Sequence, residues 1–185
     1  VLVTGGAGFI GSHLVERLVT EGARVTVLDN FSTGSRANLK GIKATIVKGS
    51  VTQPALIKKF VPKTQYVFHL AACPTVGASF DDLVGSNEVN ITGSLVLLEA
   101  FRKSKKLQGF VFTSSSAVYG DLIATPQSEE KIGKPLSPYA LHKITIEHYV
   151  RLYAEHFGFP GVAIRPFNVF GARQSPRSAY AAVIP

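Results

Sequence analysis

The chain opens with three evenly spaced glycines. In Val1-Leu2-Val3-Thr4-Gly5-Gly6-Ala7-Gly8-Phe9-Ile10-Gly11, Gly5, Gly8 and Gly11 stand three residues apart. Between a strand and a helix, that spacing builds a cradle for phosphate. The first glycine permits a tight turn, the second lets the backbone approach a pyrophosphate, and the third lets helix and strand pack closely. The helix start adds free N–H groups and the positive end of its dipole. Spaced glycines alone are a weak signal. Here a β-branched run precedes them, a helical pattern follows, and Asp29 closes the second apolar run. An aspartate there accepts hydrogen bonds from adenosine ribose hydroxyls and repels a 2′-phosphate, which points to NAD rather than NADP. The plain alternative, a strand-to-helix turn with Asp29 capping a loop, leaves the matched context on both sides unexplained.

A second group of residues could move protons. Pro138-Tyr139-Ala140-Leu141-His142-Lys143 sets Tyr139 and Lys143 at i and i+4, on one face of a helix. A phenol ordinarily loses its proton near pH 10. A neighbouring ammonium favours the phenolate, which makes Tyr139 a candidate general base. Such a pair also occurs by chance on exposed helices, and it gains meaning beside the glycine loop. The segment Phe112-Thr113-Ser114-Ser115-Ser116-Ala117-Val118-Tyr119-Gly120 follows a strand. Hydroxyls at the carboxyl end of a strand in such a sheet are placed to bond a ligand oxygen. Standing alone, the segment reads as a Ser-rich turn.

The elements that must position these groups alternate. Strands are expected over Val1–Thr4, Arg24–Asp29, Ala44–Lys48, Tyr66–Ala72, Gly109–Thr113 and Val162–Arg165. Helices are expected over Phe9–Thr20, Pro54–Phe60, Leu83–Lys103 and Tyr139–Phe157. Near-continuous apolar strands joined by helices predict an α/β fold, a Rossmann-like doubly wound parallel sheet. Asp121–Pro138 reads as an irregular surface loop before the long helix.

Composition bounds the rest. The 185 residues suit one domain, or one domain and the start of another. Hydrophobic residues at 45% and charged residues at 17% exclude a disordered chain. Lys and Arg number 20 against 12 Asp and Glu, a bias that suits anionic ligands. The one dense basic run, Arg102-Lys103-Ser104-Lys105-Lys106, falls where a helix ends and cations are favoured, so a nucleic-acid partner is not expected. Cys73 is alone, so no internal disulfide forms and the cytoplasm is the default compartment. No apolar stretch approaches the roughly 20 residues of a membrane span, and none of the histidines forms a ligand-spaced metal cluster; His69 reads as a core residue. The chain has no Met, starts inside a strand pattern and stops in the apolar run Ala181–Pro185, so it is expected to be part of a longer protein.

Four stretches together resemble the extended short-chain dehydrogenase/reductases, in their NAD-dependent sugar-nucleotide epimerase/dehydratase branch. They are Thr4–Gly11; His69-Leu70-Ala71-Ala72; Ser114–Gly120 with Tyr139–Lys143; and Arg165-Pro166-Phe167-Asn168-Val169-Phe170-Gly171. The likeness is greatest to the UDP-hexose 4-epimerases. The resemblance implies NAD as cofactor, a UDP-sugar as substrate and a homodimer formed through the long helix. It divides the chain into a cofactor domain over 1–165 and the start of a substrate-binding region over 166–185, whose larger part is missing. Gly5, Gly8, Phe9, Ile10 and Gly11 match the pyrophosphate loop, Asp29 and Asn30 the adenosine-ribose contacts, and Ser50 and Val51 the adenine end. Leu70, Ala71 and Ala72 match the strand end that lines the cofactor, and Asn90 a cofactor-side asparagine. Ser115, Tyr139 and Lys143 match the catalytic residues, Tyr139 and Lys143 also touching cofactor and Ser115 and Tyr139 also touching substrate. Asn168 matches a contact to the sugar diphosphate. The implied reaction is oxidation and reduction at C4 through a transient 4-keto sugar.

The departures discriminate. Dehydratases of the family resemble Thr-Asp-Glu where this chain has Ser115-Ser116-Ala117, so the acid and base for water elimination are missing. Decarboxylases resemble Thr-Ser-Glu there, and Ala117 again lacks the carboxylate. Ser50 stands where the family usually has Asp, which implies weaker NAD binding, since a hydroxyl accepts more weakly than a carboxylate. Ala172 replaces a common proline. The rival readings are another NAD-dependent sugar-nucleotide dehydrogenase or reductase that releases the cofactor, a 4-epimerase of UDP-N-acetylglucosamine or UDP-glucuronate, and a non-catalytic NAD-binding domain.

Overall fold

The computed structural model describes residues 1–123 and 125–175. Six strands form one parallel sheet: β1 Leu2–Thr4, β2 Thr26–Asp29, β3 Thr45–Lys48, β4 Tyr66–His69, β5 Gly109–Thr113 and β6 Gly161–Ile164. Their spatial order is β3-β2-β1-β4-β5-β6. The order reverses direction between β1 and β4, the point where doubly wound sheets open a crevice at their carboxyl ends. This is the Rossmann-like arrangement expected from the alternation of apolar strands and helices.

The pleat explains why the strands read as continuous apolar runs. Leu2, Leu28, Val67, Phe110 and Phe112 point to one face and pack with α2 Pro54–Lys58, α5 Gly93–Phe101 and α6 Pro138–Phe157 through Ile57, Leu97, Phe101, Ile146 and Val150. Their alternates Val3 and Val27 point to the other face and meet Val15 of α1 Phe9–Thr20, and Leu39. Both faces are covered, so no polar alternation marks these strands. Among the described residues no helix is long and apolar enough to cross a membrane. The run Ala181–Pro185 and the latter half of the second region expected from residue 166, residues 176–185, lie outside the described residues.

Two expected elements come out differently. The fourth strand was expected to run to Ala72 and ends at His69. Leu70 N–H still bonds Thr4 O at 3.1 Å, but Ala71 N–H turns to the Thr4 hydroxyl at 3.3 Å. A side chain thus replaces the ladder and the backbone leaves the sheet. The helix expected over Leu83–Lys103 is interrupted. It consists of α4 Leu83–Asn87, a π-helical turn Glu88–Thr92 and α5, ending at Phe101. At the turn, Asn90 donates and accepts side-chain bonds with Cys73 main chain, and its own carbonyl takes the Ser94 hydroxyl at 2.6 Å. A further helix, α3 Val76–Asp81, was not expected. Thr75 caps it by accepting Ala78 N–H, a signal present in the sequence.

His69 sits at 1% exposure in a directional network. Ser94 gives its one hydroxyl proton to Asn90 O, so it must accept from His69 Nε2, 2.8 Å away. The other ring nitrogen, Nδ1, therefore accepts from Thr4 Oγ1 at 2.7 Å. The ring is neutral and ties β1, the end of β4 and the π turn together. Burial, with help from the Lys143 ammonium, holds its pKa down from 6.5 to about 3. The unfolded chain takes up a proton between those values that the folded chain does not. This contribution is whole above pH 6.5 and is lost as the pH falls toward about 3. In urea titrations across that window, His69→Asn is expected to lower the slope of unfolding free energy against pH by about 1.4 kcal/mol per unit. An unchanged slope would show that the histidine titrates alike in both states.

Candidate active site

The carboxyl ends of the strands open into a cavity of about 1370 Å³. Its floor is the turn after β1. Gly5 holds φ +70, and a Cβ there would meet Ala71 N at 2.6 Å. A Cβ on Gly11 would meet Gly5 O at 2.2 Å. Both glycines are fixed by backbone that no side chain could displace cheaply. The first helical bond at this end runs from Ser12 N–H to Gly8 O. The N–H groups of Phe9, Ile10 and Gly11 thus have no carbonyl one turn earlier in the helix, the condition for an anion site. Gly5, Gly8, Phe9, Ile10 and Gly11 all line the cavity.

Asp29 ends β2 beside this loop. Its Oδ2 accepts Ala7 N–H at 2.9 Å and its Oδ1 accepts Phe31 N–H at 2.8 Å. The carboxylate is thereby oriented, and each oxygen keeps a lone pair for a ligand hydroxyl. Asn30 folds into an Asx turn on Ser32 N–H. Ser50 also lines the cavity, but its Oγ sits 2.8 Å from Thr52 Oγ1 and accepts Thr52 N–H. That hydroxyl is partly spent on its own turn. Ser50→Asp is therefore expected to tighten NAD binding several-fold by calorimetry, since a carboxylate accepts more strongly; an unchanged dissociation constant would assign adenine recognition elsewhere. Val51, Leu70, Ala71 and Ala72 line the same wall.

Asn90 does not line the cavity. It is buried at 4% exposure and its side chain holds both main-chain groups of Cys73, with Nδ2 also 3.3 Å from His142 Nδ1. In this structure it shapes the loop that lines the cavity.

The second half of the cavity carries the hydroxyls and the amine. Ser137 caps α6 by accepting Ala140 N–H, and Pro138 fills the first turn. Tyr139 follows immediately, where the helix dipole favours an anion. Its N–H is held by Ser79 Oγ at 3.1 Å. One turn on, Lys143 is 5% exposed. Its Nζ donates to Thr113 O at 2.7 Å and lies 5.6 Å from the centre of the Tyr139 ring. Burial lowers the Lys143 pKa to about 8, and the Glu147 carboxylate opposes that fall. The amine is still mostly protonated at neutral pH. Ser115 Oγ accepts Ala117 N–H at 3.1 Å, which fixes its lone pair and leaves its proton to give. Beside it, Ser114 Oγ is buried without a hydrogen-bond partner. Ser115, Tyr139, Lys143 and Asn168 all face the one cavity that the glycine loop floors.

Several contributors were not singled out from sequence. Asn38 Nδ2 donates to Ala7 O and lines the cavity. Arg165 makes a forked ion pair with Glu147, at 2.9 and 2.7 Å, with side chains 13% and 8% exposed. Its Nη1 also reaches the carbonyls of Glu129 and Lys131. This pair fastens the end of β6, and so the cavity-lining segment from Pro166, to α6. The signal was spacing: Glu147 stands one helical turn beyond Lys143.

The geometry fits a dinucleotide: a backbone anion site at one end, an oriented carboxylate for ribose, and a hydroxyl–phenol–amine group at the other. The sequence profile of the NAD dependent epimerase/dehydratase family matches residues 1–185. The chain belongs to that family. It is 38% identical over 179 residues to a putative UDP-glucose 4-epimerase of Methanocaldococcus jannaschii, covering 96% of this chain and 58% of the relative. It is also similar to the solved UDP-N-acetylglucosamine 4-epimerase of Methanobrevibacter ruminantium, in complex with UDP-N-acetylmuramic acid. There the identity is 41% and the TM-score 0.92, over 98% of this chain and 59% of that one. The UDP-glucose 4-epimerase of Thermus thermophilus, solved with NAD, superposes with a TM-score of 0.90 at 38% identity, over 97% and 58% of the two chains. The chain thus spans about three fifths of the length of these epimerase/dehydratase relatives.

Proposed function

We propose that this chain is the cofactor-binding and catalytic part of an NAD-dependent sugar-nucleotide 4-epimerase acting on a UDP-hexose of the glucose/galactose type. One observation carries the reading: Tyr139, Lys143 and Ser115 stand in a single cavity with a dinucleotide-type glycine loop. NAD, when bound, supplies the acceptor and returning donor for the hydrogen on C4. Gly5, Gly8 and Phe9–Gly11 hold its diphosphate, Asp29 and Asn30 its adenosine ribose, and Ser50, Val51 and Leu70–Ala72 its remaining wall; Asn90 serves through the Cys73 loop. Tyr139 takes the proton from the 4-hydroxyl of the sugar and returns it. Ser115 donates to the same oxygen with the proton that its Ala117 bond leaves outward. Lys143 stabilises the phenolate and binds the ribose on the reacting side. Asn168 meets the substrate diphosphate, within a substrate-binding region that we take to begin near residue 166. The relatives named for UDP-N-acetylglucosamine and UDP-glucose support the sugar-nucleotide class.

We take the working protein to be a cytoplasmic homodimer. Phe80, Leu83, Val84, Leu136 and Leu141 are all at least half exposed beside the start of α6, an apolar face that a second copy would cover.

The test incubates the full chain with NAD and, separately, UDP-glucose, UDP-N-acetylglucosamine and UDP-glucuronate, and separates the product sugars. A 4-epimer of UDP-glucose with no net NADH supports the proposal. NADH formed in proportion to substrate, with no 4-epimer, would identify a dehydrogenase.

A further inference from the structure

After β4 the chain leaves the sheet and forms a wall of the cavity, and buried groups hold that wall at two points. Ala71 N–H bonds Thr4 Oγ1 at 3.3 Å. Cys73 is held by Asn90, whose Oδ1 accepts Cys73 N–H at 2.7 Å and whose Nδ2 donates to Cys73 O at 3.2 Å. Together these two bonds settle which end of the amide is oxygen and which is nitrogen. Nδ2 then has one N–H left, and it meets His142 Nδ1 at 3.3 Å. A ring nitrogen facing an amide donor must accept, so His142 is neutral and carries its proton on Nε2. Burial and the Lys143 ammonium both lower its pKa and favour the same form.

The two holding points belong to one directed chain of hydrogen bonds. Ala71 N–H gives to Thr4 Oγ1, Thr4 to His69 Nδ1, His69 Nε2 to Ser94, and Ser94 to the Asn90 carbonyl. The Asn90 side chain then gives to His142, the last acceptor. Thr4, His69, Ser94, Asn90 and His142 are each at most 5% exposed. A donor deprived of its acceptor there has no bulk water to turn to, and the loss falls on the neighbouring bonds. His142 stands three residues after Tyr139 and directly before Lys143. Its bond to Asn90 thus ties the wall to the helix that carries both.

We propose that His142 is a positioning residue: by accepting from Asn90, its Nδ1 fixes the Ala71–Cys73 wall of the cofactor cavity against the helix that carries Tyr139 and Lys143. His142 does not itself line the cavity, so it acts through Asn90. The proposal rests on the reading of the cavity as an NAD site.

Calorimetric titration of the full chain with NAD tests it, with folding of each variant checked by circular dichroism. His142→Phe keeps a ring of similar size but offers no acceptor, and it is expected to weaken NAD about tenfold. His142→Asn places a carbonyl oxygen near the site of Nδ1 and should stay within about threefold of wild type. Asn90→Ala should weaken NAD at least as much as His142→Phe. Adding His142→Phe to Asn90→Ala should then change the affinity by less than about twofold, because the residue through which it acts is already gone. The role is overturned if His142→Phe binds NAD as wild type does, if His142→Asn is as weak as His142→Phe, or if the two single losses multiply in the double variant. Should His142→Phe not fold, His142→Leu takes its place, and loss of folding in His142→Asn as well would reduce His142 to a core residue and overturn the role. Wild-type protein that does not bind NAD would overturn the cofactor reading; wild-type binding with no difference among the variants overturns this role alone.

Discussion

Tyr139→Phe is expected to lower the turnover of a UDP-hexose by about 10²- to 10⁴-fold, the usual worth of a positioned general acid–base. NAD affinity should stay within a few-fold of wild type. The reason lies in the main chain that carries the ring. The ring is placed by its backbone: Ser79 holds Tyr139 N–H and Ser137 caps the same turn. Removing one oxygen leaves that scaffold, the glycine loop and Lys143 in place. What is lost is the only phenol lining the cavity among the described residues. A variant that keeps wild-type turnover would move the proton-transferring group elsewhere, and Ser114, with its unpartnered hydroxyl, would be the next residue to replace.

Glu147→Ala is expected to destabilise the chain by about 3–5 kcal/mol in urea unfolding. The carboxylate is 8% exposed by side chain and forked onto Arg165. Its removal leaves a guanidinium buried without its counter-charge. The double replacement Glu147→Leu with Arg165→Met should recover much of the loss, because apolar groups of similar volume replace buried pairs at little cost. Function gives a second readout. Glu147 opposes the burial that lowers Lys143 to about pKa 8. In Glu147→Gln the ammonium should therefore deprotonate at lower pH. If catalysis needs Lys143 charged, the high-pH limb of kcat moves to lower pH in that variant. A stability loss without this displacement would restrict Glu147 to fastening β6 to α6.

What was legible in the sequence was local. The glycine loop declares itself because Gly5 and Gly11 meet backbone only a few residues away in the chain or directly across β1 and β4. Tyr139 and Lys143 share a face because helical spacing demands it. The parallel sheet follows from runs such as Val67 and Phe110–Phe112, buried from both sides. What was not legible depends on partners far along the chain. The helix breaks at Glu88–Thr92 because Asn90 reaches back to Cys73 and onward to His142, 52 residues away. The fourth strand stops at His69 because the Thr4 hydroxyl captures Ala71 N–H, 67 residues on. Arg173 is tied to α1 by Glu16, 157 residues before it. No periodicity encodes such contacts. Asn168 came from the resemblance alone, Ser115 and Tyr139 from the resemblance as much as from their chemistry, and the cavity gathers them with the glycine loop.

The central claim of the proposed function is that hydrogen leaves and rejoins C4 of the sugar inside one cavity. It is tested most directly with UDP-glucose carrying deuterium at C4, incubated with the full chain and NAD, the product being read by mass spectrometry and proton NMR. The account predicts UDP-galactose that keeps the deuterium at C4, with no exchange into water and no accumulated NADH. Product that has lost the label to solvent, or label found only in released NADH, would contradict it.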